Sequence, residues 1–467
     1  MGRSQESIRK KQEKGVVGTR QCDNFRFLLS EISPDFMALK KRSKTLKTTA
    51  RKKKELTFAD VFAGCGGLSL GLVNAGWKGT FAVEKHADAF GTLASNLVDG
   101  RPSKKKFDWP EWLPRAEITT THFLEKYSGH LKKMKGELTL LAGGPPCQGF
   151  SLAGRRTQSD PRNALTNDYI EMVSHLKPRF LLIENVKGFT LPFRKNANED
   201  DDSVPYSAKV KERLEEIGYH VYSDLIDLSE FGVPQFRKRF ILIAIKKGDK
   251  AMRKLKGKSP IDLLYKQRAR FLSSKKIPHD RPVSVKEAIG DLEVKSDNLL
   301  PCSDSPFKNF KKVDYQKGRY RSPFITLMRK GTDLEPNSLR LPNHNESTRS
   351  QFESIMDTCA RGRTLTDSDR KRLNLKKHAI TPLKSTLPSA TVTTLPDDII
   401  HYAEPRILTA RENARLQTFP DSFQFTGKYT TGGPNRKHEC PRYTQIGNAV
   451  PPLFAEAVGR MLKQLAS

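Results

Sequence analysis

Asp60-Val61-Phe62-Ala63-Gly64-Cys65-Gly66-Gly67-Leu68-Ser69-Leu70-Gly71-Leu72 continues an apolar run that begins at Leu56, and its reading decides the fold. A strand enters a tight glycine turn and a helix leaves it. Glycines at such a turn let the backbone approach a ligand closely and take the positive φ that side chains disfavour. Packing alone can demand the same turn, so a second feature matters. Glu84 stands at the end of the next apolar run, where an acidic residue can accept hydrogen bonds from both hydroxyls of a ribose. Gly64, Gly66 and Gly67 do not follow Gly-x-Gly-x-x-Gly, which disfavours a nicotinamide dinucleotide. An adenosyl ligand without a pyrophosphate suits the spacing better.

Outward from this turn, short apolar runs at 56–62, 81–84, 138–143, 180–186, 220–228 and 240–245 alternate with amphipathic stretches. That rhythm predicts strands buried between layers of helices, an α/β doubly wound sheet. The last two runs are joined by too few residues for a helical crossover, so they predict an antiparallel hairpin at one end of the sheet. From 246 to about 386 the rhythm stops and the chain becomes basic and irregular, rich in Lys, Arg, Pro, Ser and Asn. Helical spacing returns at 409–417 and 452–465. The expected division is a basic arm over 1–54, a catalytic domain over 55–245, a smaller irregular domain over 246–440, and a segment over 441–467 that completes the catalytic domain.

The chain has 467 residues and 83 Lys+Arg against 52 Asp+Glu, a formal charge of +31 that calls for a polyanionic partner. No apolar run is long enough to span a bilayer, and the start at Met1 lacks the apolar stretch of a secretory signal. These features predict a protein of the cytoplasm or nucleoid, nuclear in a eukaryotic host, with no membrane contact. Six scattered cysteines, none in a Cys-x-x-Cys pair, exclude a disulfide framework and a zinc ribbon, so no metal is expected. The arm 1–54 reads as a solvated tail, a phosphate-contacting arm or a nuclear import signal.

A lone intracellular cysteine is most often a small buried apolar residue, and only Cys147 has neighbours that say otherwise. It lies in Gly143-Gly144-Pro145-Pro146-Cys147-Gln148-Gly149-Phe150-Ser151, held by two prolines just past a strand's carboxyl edge, where ligands bind in such sheets. The next strand ends in Glu184-Asn185-Val186 at the same edge, and an unpaired buried carboxyl there would be costly. In Gln235-Phe236-Arg237-Lys238-Arg239, strand alternation sends Gln235, Arg237 and Arg239 to one face. One edge thus gathers a thiol, a carboxyl and two guanidinium groups.

With these motifs in this order, the chain resembles the DNA (cytosine-5)-methyltransferases from Leu56 to its carboxyl terminus, the basic insertion excepted. Arg406-Ile407-Leu408-Thr409-Ala410-Arg411-Glu412-Asn413-Ala414-Arg415-Leu416-Gln417 and Gln445-Ile446-Gly447-Asn448-Ala449-Val450-Pro451-Pro452 complete the series. The resemblance implies a Rossmann-like S-adenosylmethionine-dependent methyltransferase sheet, with the basic insertion as target-recognition domain. It implies methyl transfer from S-adenosyl-L-methionine to carbon 5 of a cytosine flipped out of double-stranded DNA. Cys147 is then the nucleophile at carbon 6 and Glu184 holds ring nitrogen 3. Arg239 holds the exocyclic oxygen, and Arg237 and Asn185 complete the catalytic group. Phe62, Gly64, Gly66, Gly67, Leu68, Glu84, Pro145, Leu165, Asn448 and Ala449 are the implied cofactor contacts. Glu117, in Ala116-Glu117-Ile118, stands where the family usually has an Asp on the adenine amino group. Gln148, Ser151 and Gln235 are the implied substrate contacts. The enzyme is expected to act as a monomer, as the modification half of a restriction-modification system whose cognate endonuclease acts separately.

An RNA methyltransferase on the same fold and a catalytically dead DNA-binding relative are the competing readings. The first typically carries a different pattern around the cysteine, and intact Cys147, Glu184 and Arg239 speak against the second. A nicotinamide oxidoreductase fails on the glycine spacing and on the charge.

Overall fold

Strands β1 (Thr57–Val61), β2 (Lys78–Val83), β3 (Leu140–Gly143), β4 (Phe180–Val186), β5 (Tyr219–Asp227) and β6 (Lys238–Lys246) form one six-stranded sheet in the order β2-β1-β3-β4-β6-β5. This is a computed structural model, and it describes residues 55–99, 106–146, 164–192, 204–295, 299–305, 307, 309–332, 335–431 and 439–467. The arm 1–54 and the residues Cys147, Gln148 and Ser151 lie outside that set. β1 pairs in parallel with β2 and β3, and β3 with β4. β6 runs antiparallel between β4 and β5, with Val186 opposite Arg239. The chain winds outward from β1 in both directions, so β1 and β3 flank the point where ligands bind in open α/β sheets.

Near-continuous apolar strands form here because both faces are covered. Phe58, Leu140, Ala142, Phe180, Leu182, Ile241, Ile243 and Ile245 join one core cluster. Their alternating neighbours Ala59, Val61, Leu141, Leu181, Ile183, Phe240, Leu242 and Ala244 join another. Helices α1 (Gly67–Asn74) and α2 (Ala87–Leu93) pack on the first face, and α3 (Thr120–Lys133), α4 (Ala164–Leu176) and α5 (Tyr206–Glu216) on the second. Each Leu, Ile or Phe so buried contributes about 1.5–3 kcal/mol relative to exposure.

The basic stretch after β6 holds more regular structure than its composition predicts. α6 (Pro260–Ser274) begins with a capping box in which Ser259 and Asp262 satisfy each other's backbone N–H groups. α7 (Glu346–Thr358) is capped by Asn345, whose side chain accepts from the Thr348 N–H. Apolar positions recur at helical spacing in both, but the long basic and irregular stretch around them masks the period. Ile261, Leu264, Phe271 and Leu272 of α6 bury into the first core cluster, and Lys275 just beyond it pairs with Glu456 at 2.6 Å.

The chain returns to the sheet through α8 (Ala410–Leu416), α9 (Arg442–Asn448) and α10 (Pro452–Ala466). α10 lies on α1, where the Trp77 indole N–H donates to the Gly459 carbonyl at 2.9 Å. Arg415 on α8 is fully buried between two buried carboxylates, donating to Asp421 at 2.8 and 2.9 Å and to Asp291 at 3.1 Å. Burial works against ionised Asp421, but the Arg415 guanidinium outweighs it and holds the carboxyl below its usual range.

Candidate active site

The end of β1 and the turn after it are built around two carboxylates. Glu84, at the end of β2, accepts the Gly64 N–H on Oε2 and the His86 N–H on Oε1, each at 2.9 Å. Two backbone donors fix the carboxylate and leave lone pairs on both oxygens for a diol. The turn opens with Phe62 at φ +62°, a left-handed conformation that costs a non-glycine residue energy. Gly67 is required by contact, since a Cβ there would lie 2.3 Å from the Val450 carbonyl oxygen. Gly66 has φ +91°, which only glycine adopts freely.

Asp60, on β1, is the second carboxylate, inside a strand whose other residues are mostly apolar. Its side chain is 1% exposed, and Oδ2 accepts the Ser69 hydroxyl at 2.6 Å. Oδ1 is buried and has no hydrogen-bond partner among the described residues. Burial pushes this carboxyl up to about 7; the Ser69 hydrogen bonds oppose the shift and the charge of Glu84 adds to it. A polar residue in a run of apolar ones, with a serine two residues after the last glycine of the turn, was the available signal.

A cavity of about 460 Å³ opens over these groups, within the usual size of a small-molecule site. Phe62, Gly64, Leu68 and Glu84 line it from the first turn, with Asp60 at its base. Pro145, Leu165, Glu184 and Asn185 line it from the β3 and β4 side, and Asn448 and Ala449 from the carboxyl-terminal segment. Arg237 and Arg239 complete the wall. Asp60 aside, the structure therefore brings twelve of the residues named from the sequence to the wall of one cavity. Gly66 and Gly67 are placed differently: they shape the turn from behind it and do not line the cavity. Glu117 is exposed outside the lining, and its neighbours Ile118 and Thr119 stand in the wall instead, because the Ile118 N–H is tied to the Glu84 carbonyl at 2.7 Å.

At the β4 edge, Arg239 Nε donates to Glu184 Oε1 at 2.9 Å, and both side chains are 12% exposed. The pair presents a cation and a carboxyl to the cavity in fixed geometry. The Asn185 amide donates to the Pro145 carbonyl at 3.2 Å and its oxygen accepts the Val186 N–H at 2.8 Å. It therefore holds the prolines that lead toward Cys147. Gln235, expected at the substrate, is instead a fully buried tie: it donates to the Leu416 carbonyl at 2.7 Å and is absent from the lining. Arg237, expected to act in the chemistry, turns its guanidinium to backbone carbonyls of Val392, Gly447 and Ala449. Strand alternation does send the three residues to one face, but that face closes over the first two. Among the described residues no group of His, Cys, Asp and Glu is arranged to hold a metal, and no helix is long and apolar enough to cross a membrane.

The fold places the chain among α/β proteins with a ligand cavity at the carboxyl ends of parallel strands. A family model for C-5 cytosine-specific DNA methylase matches residues 56–464. The chain is 29% identical over 422 residues to the Type II methyltransferase M.DdeI of Desulfomicrobium norvegicum, covering 87% of this chain and 88% of the relative. It is 29% identical over 424 residues to the Type II methyltransferase M.XorII of Xanthomonas oryzae pv. oryzae, covering 86% and 82%. A solved structure from E. coli, described as a DNA modification methyltransferase encoded within a prophage, shares the fold with a TM-score of 0.57 at 24% identity, over 88% of this chain and 99% of that one. The chain belongs to the C-5 cytosine-specific DNA methylase family and is a DNA (cytosine-5)-methyltransferase. Enzymes of this family use S-adenosylmethionine as methyl donor.

Proposed function

We propose that the chain methylates carbon 5 of a cytosine flipped out of a specific duplex sequence, as the modification enzyme of a restriction-modification system, and that the cavity is its S-adenosylmethionine site. The observation that carries the cofactor reading is the pair of buried carboxylates at its base. Glu84 offers fixed lone pairs to a ribose diol, and the unpartnered Oδ1 of Asp60 suits an ammonium group. Phe62 supplies a flat apolar wall for the adenine, and Asn448 a polar group at the rim. When bound, the cofactor supplies an electrophilic methyl group.

The chain's own residues prepare the acceptor. A stacked base hides its carbon 6, so flipping is required and costs about a few kcal/mol. The Cys147 thiolate then forms a bond to carbon 6, and the carbon 5–carbon 6 π pair moves toward carbon 5 and the ring. Glu184 as its acid donates a proton at ring nitrogen 3, and Arg239 holds the exocyclic oxygen and keeps Glu184 in line. Once carbon 5 carries the methyl group, a base takes the carbon 5 proton. The freed pair restores the double bond and expels the Cys147 thiolate, while the proton at ring nitrogen 3 returns to Glu184 and leaves neutral 5-methylcytosine. Asn185 acts on this chemistry by holding the loop lead at Pro145.

We assign duplex recognition to the basic residues after β6, which position phosphates with a few side chains reading base edges. The test is expression in a bacterial host free of cytosine methylation, followed by bisulfite sequencing. The reading expects 5-methylcytosine at one cytosine of a recurring short sequence, absent with Cys147→Ser. Unmethylated DNA from a folded protein overturns it, and modified RNA in its place favours the RNA reading.

A further inference from the structure

Arg237 is 2% exposed, and its fork ties together segments far apart in the chain. Nη1 donates to the Val392 carbonyl at 3.1 Å, and Nη2 to the carbonyls of Gly447 at 3.1 Å and Ala449 at 3.3 Å. Gln235, one alternation upstream, runs parallel to it. Its amide donates to Gln417 Oε1 at 2.9 Å and its oxygen accepts the Val392 N–H at 3.1 Å. Gln417 passes the connection on, donating to the Ile446 carbonyl at 2.7 Å. Two side chains of one strand lead thus grip the segment at Val392, the end of α8 and the turn that closes α9.

That turn carries Asn448 and Ala449, which line the cavity. It is also pressed against the Val392 segment, since a Cβ on Gly447 would lie 2.3 Å from the Thr393 carbonyl oxygen. On the same face of the strand, Arg239 pairs with Glu184. Successive inward residues therefore serve the two halves of the site. We propose that Arg237 is a positioning residue for the methyl-donor pocket: it holds the 447–449 turn as the cavity wall and couples that wall to the strand bearing Arg239. The proposal rests on the reading of the cavity as the cofactor site.

Arg237→Lys keeps the charge and replaces a planar fork by one compact donor group, so it cannot span the same three carbonyls. S-adenosylhomocysteine binding is measured by calorimetry on the parent and the variant, with thermal denaturation and steady-state kinetics alongside. The expected result is a rise of about tenfold or more in the dissociation constant and in KM for the cofactor, with kcat and KM for DNA within about threefold of the parent. A cofactor dissociation constant within about twofold of the parent, whatever the melting temperature, overturns the proposal in favour of a scaffold role. A fall in kcat with unchanged cofactor affinity overturns it in favour of a role in the chemistry. Should Arg237→Lys not fold, Arg237→Gln, which keeps a single amide donor for the three carbonyls, is measured in its place, and unchanged S-adenosylhomocysteine affinity in that variant overturns the proposal. A parent protein that binds no S-adenosylhomocysteine overturns the cofactor reading itself, and the proposal with it.

Discussion

Replacing Asp60 by Asn changes one atom type in a buried side chain and removes one ionisation. Burial holds the Asp60 carboxyl at about 7, against an ordinary value of 3.8. The difference of roughly three units corresponds to about 4 kcal/mol disfavouring the ionised form in the free protein. Between the two values the folded protein binds more protons than the unfolded chain, so stability falls as pH rises through this window and levels off above about 7. Asn keeps an oxygen for the Ser69 hydroxyl and has nothing to titrate. Asp60→Asn should therefore match the parent's stability near pH 4 and exceed it by up to about 4 kcal/mol at pH 9, as measured by urea denaturation of the free protein. Cofactor binding reverses the sign. An ammonium on Oδ1 favours the carboxylate, so affinity in the parent should weaken up to about tenfold per unit as pH falls below 7, with release of up to about one proton at pH 6. Calorimetry with S-adenosylhomocysteine in two buffers of different ionisation enthalpy measures that proton directly. A parent-to-variant stability difference that does not vary with pH, together with binding that releases no proton, would rule out an elevated Asp60 ionisation coupled to the cofactor ammonium.

The remaining expectations concern the frame of the site. Arg415→Met leaves Asp291 and Asp421 facing each other across a buried gap, and should cost about 3–5 kcal/mol in urea denaturation; a loss under about 1 kcal/mol would contradict the cluster's role. Gly67→Ala forces the first turn away from Val450, and should lower stability by about 1–3 kcal/mol and weaken S-adenosylhomocysteine binding; unchanged affinity would show that the turn yields without cost to the cavity.

The sheet was legible because its strands are covered on both faces and so read as unbroken apolar runs, and the glycine turn and Glu84 were legible because a tight strand-to-helix turn needs glycine at fixed positions and an acidic residue stands out at the end of an apolar run. Asp60 was not, since a carboxylate inside an apolar strand gains meaning only once Ser69 is seen to take one of its oxygens and leave the other buried. Alternation correctly sent Gln235, Arg237 and Arg239 to one face, yet could not tell that segments more than 150 residues away close over the first two. The helices Pro260–Ser274 and Glu346–Thr358 escaped for a different reason: Ile261, Leu264, Phe271 and Leu272, and Phe352, Ile355 and Met356, do recur at helical spacing, but they sit inside a long stretch whose overall composition is basic and irregular. The large positive charge likewise names only a polyanion, and the family membership turns that polyanion into DNA.

Attack by Cys147 on the cytosine ring can be caught by trapping the bond it forms. In a duplex carrying 5-fluorocytosine at the mapped target, the base cannot give up a proton from carbon 5, so the thiolate is not expelled. The expected product is a cofactor-dependent protein–DNA adduct that survives denaturation, maps by mass spectrometry to the peptide containing Cys147, and disappears with Cys147→Ser. An adduct on any other residue, or methylation that persists in the Cys147→Ser protein, would contradict attack by Cys147.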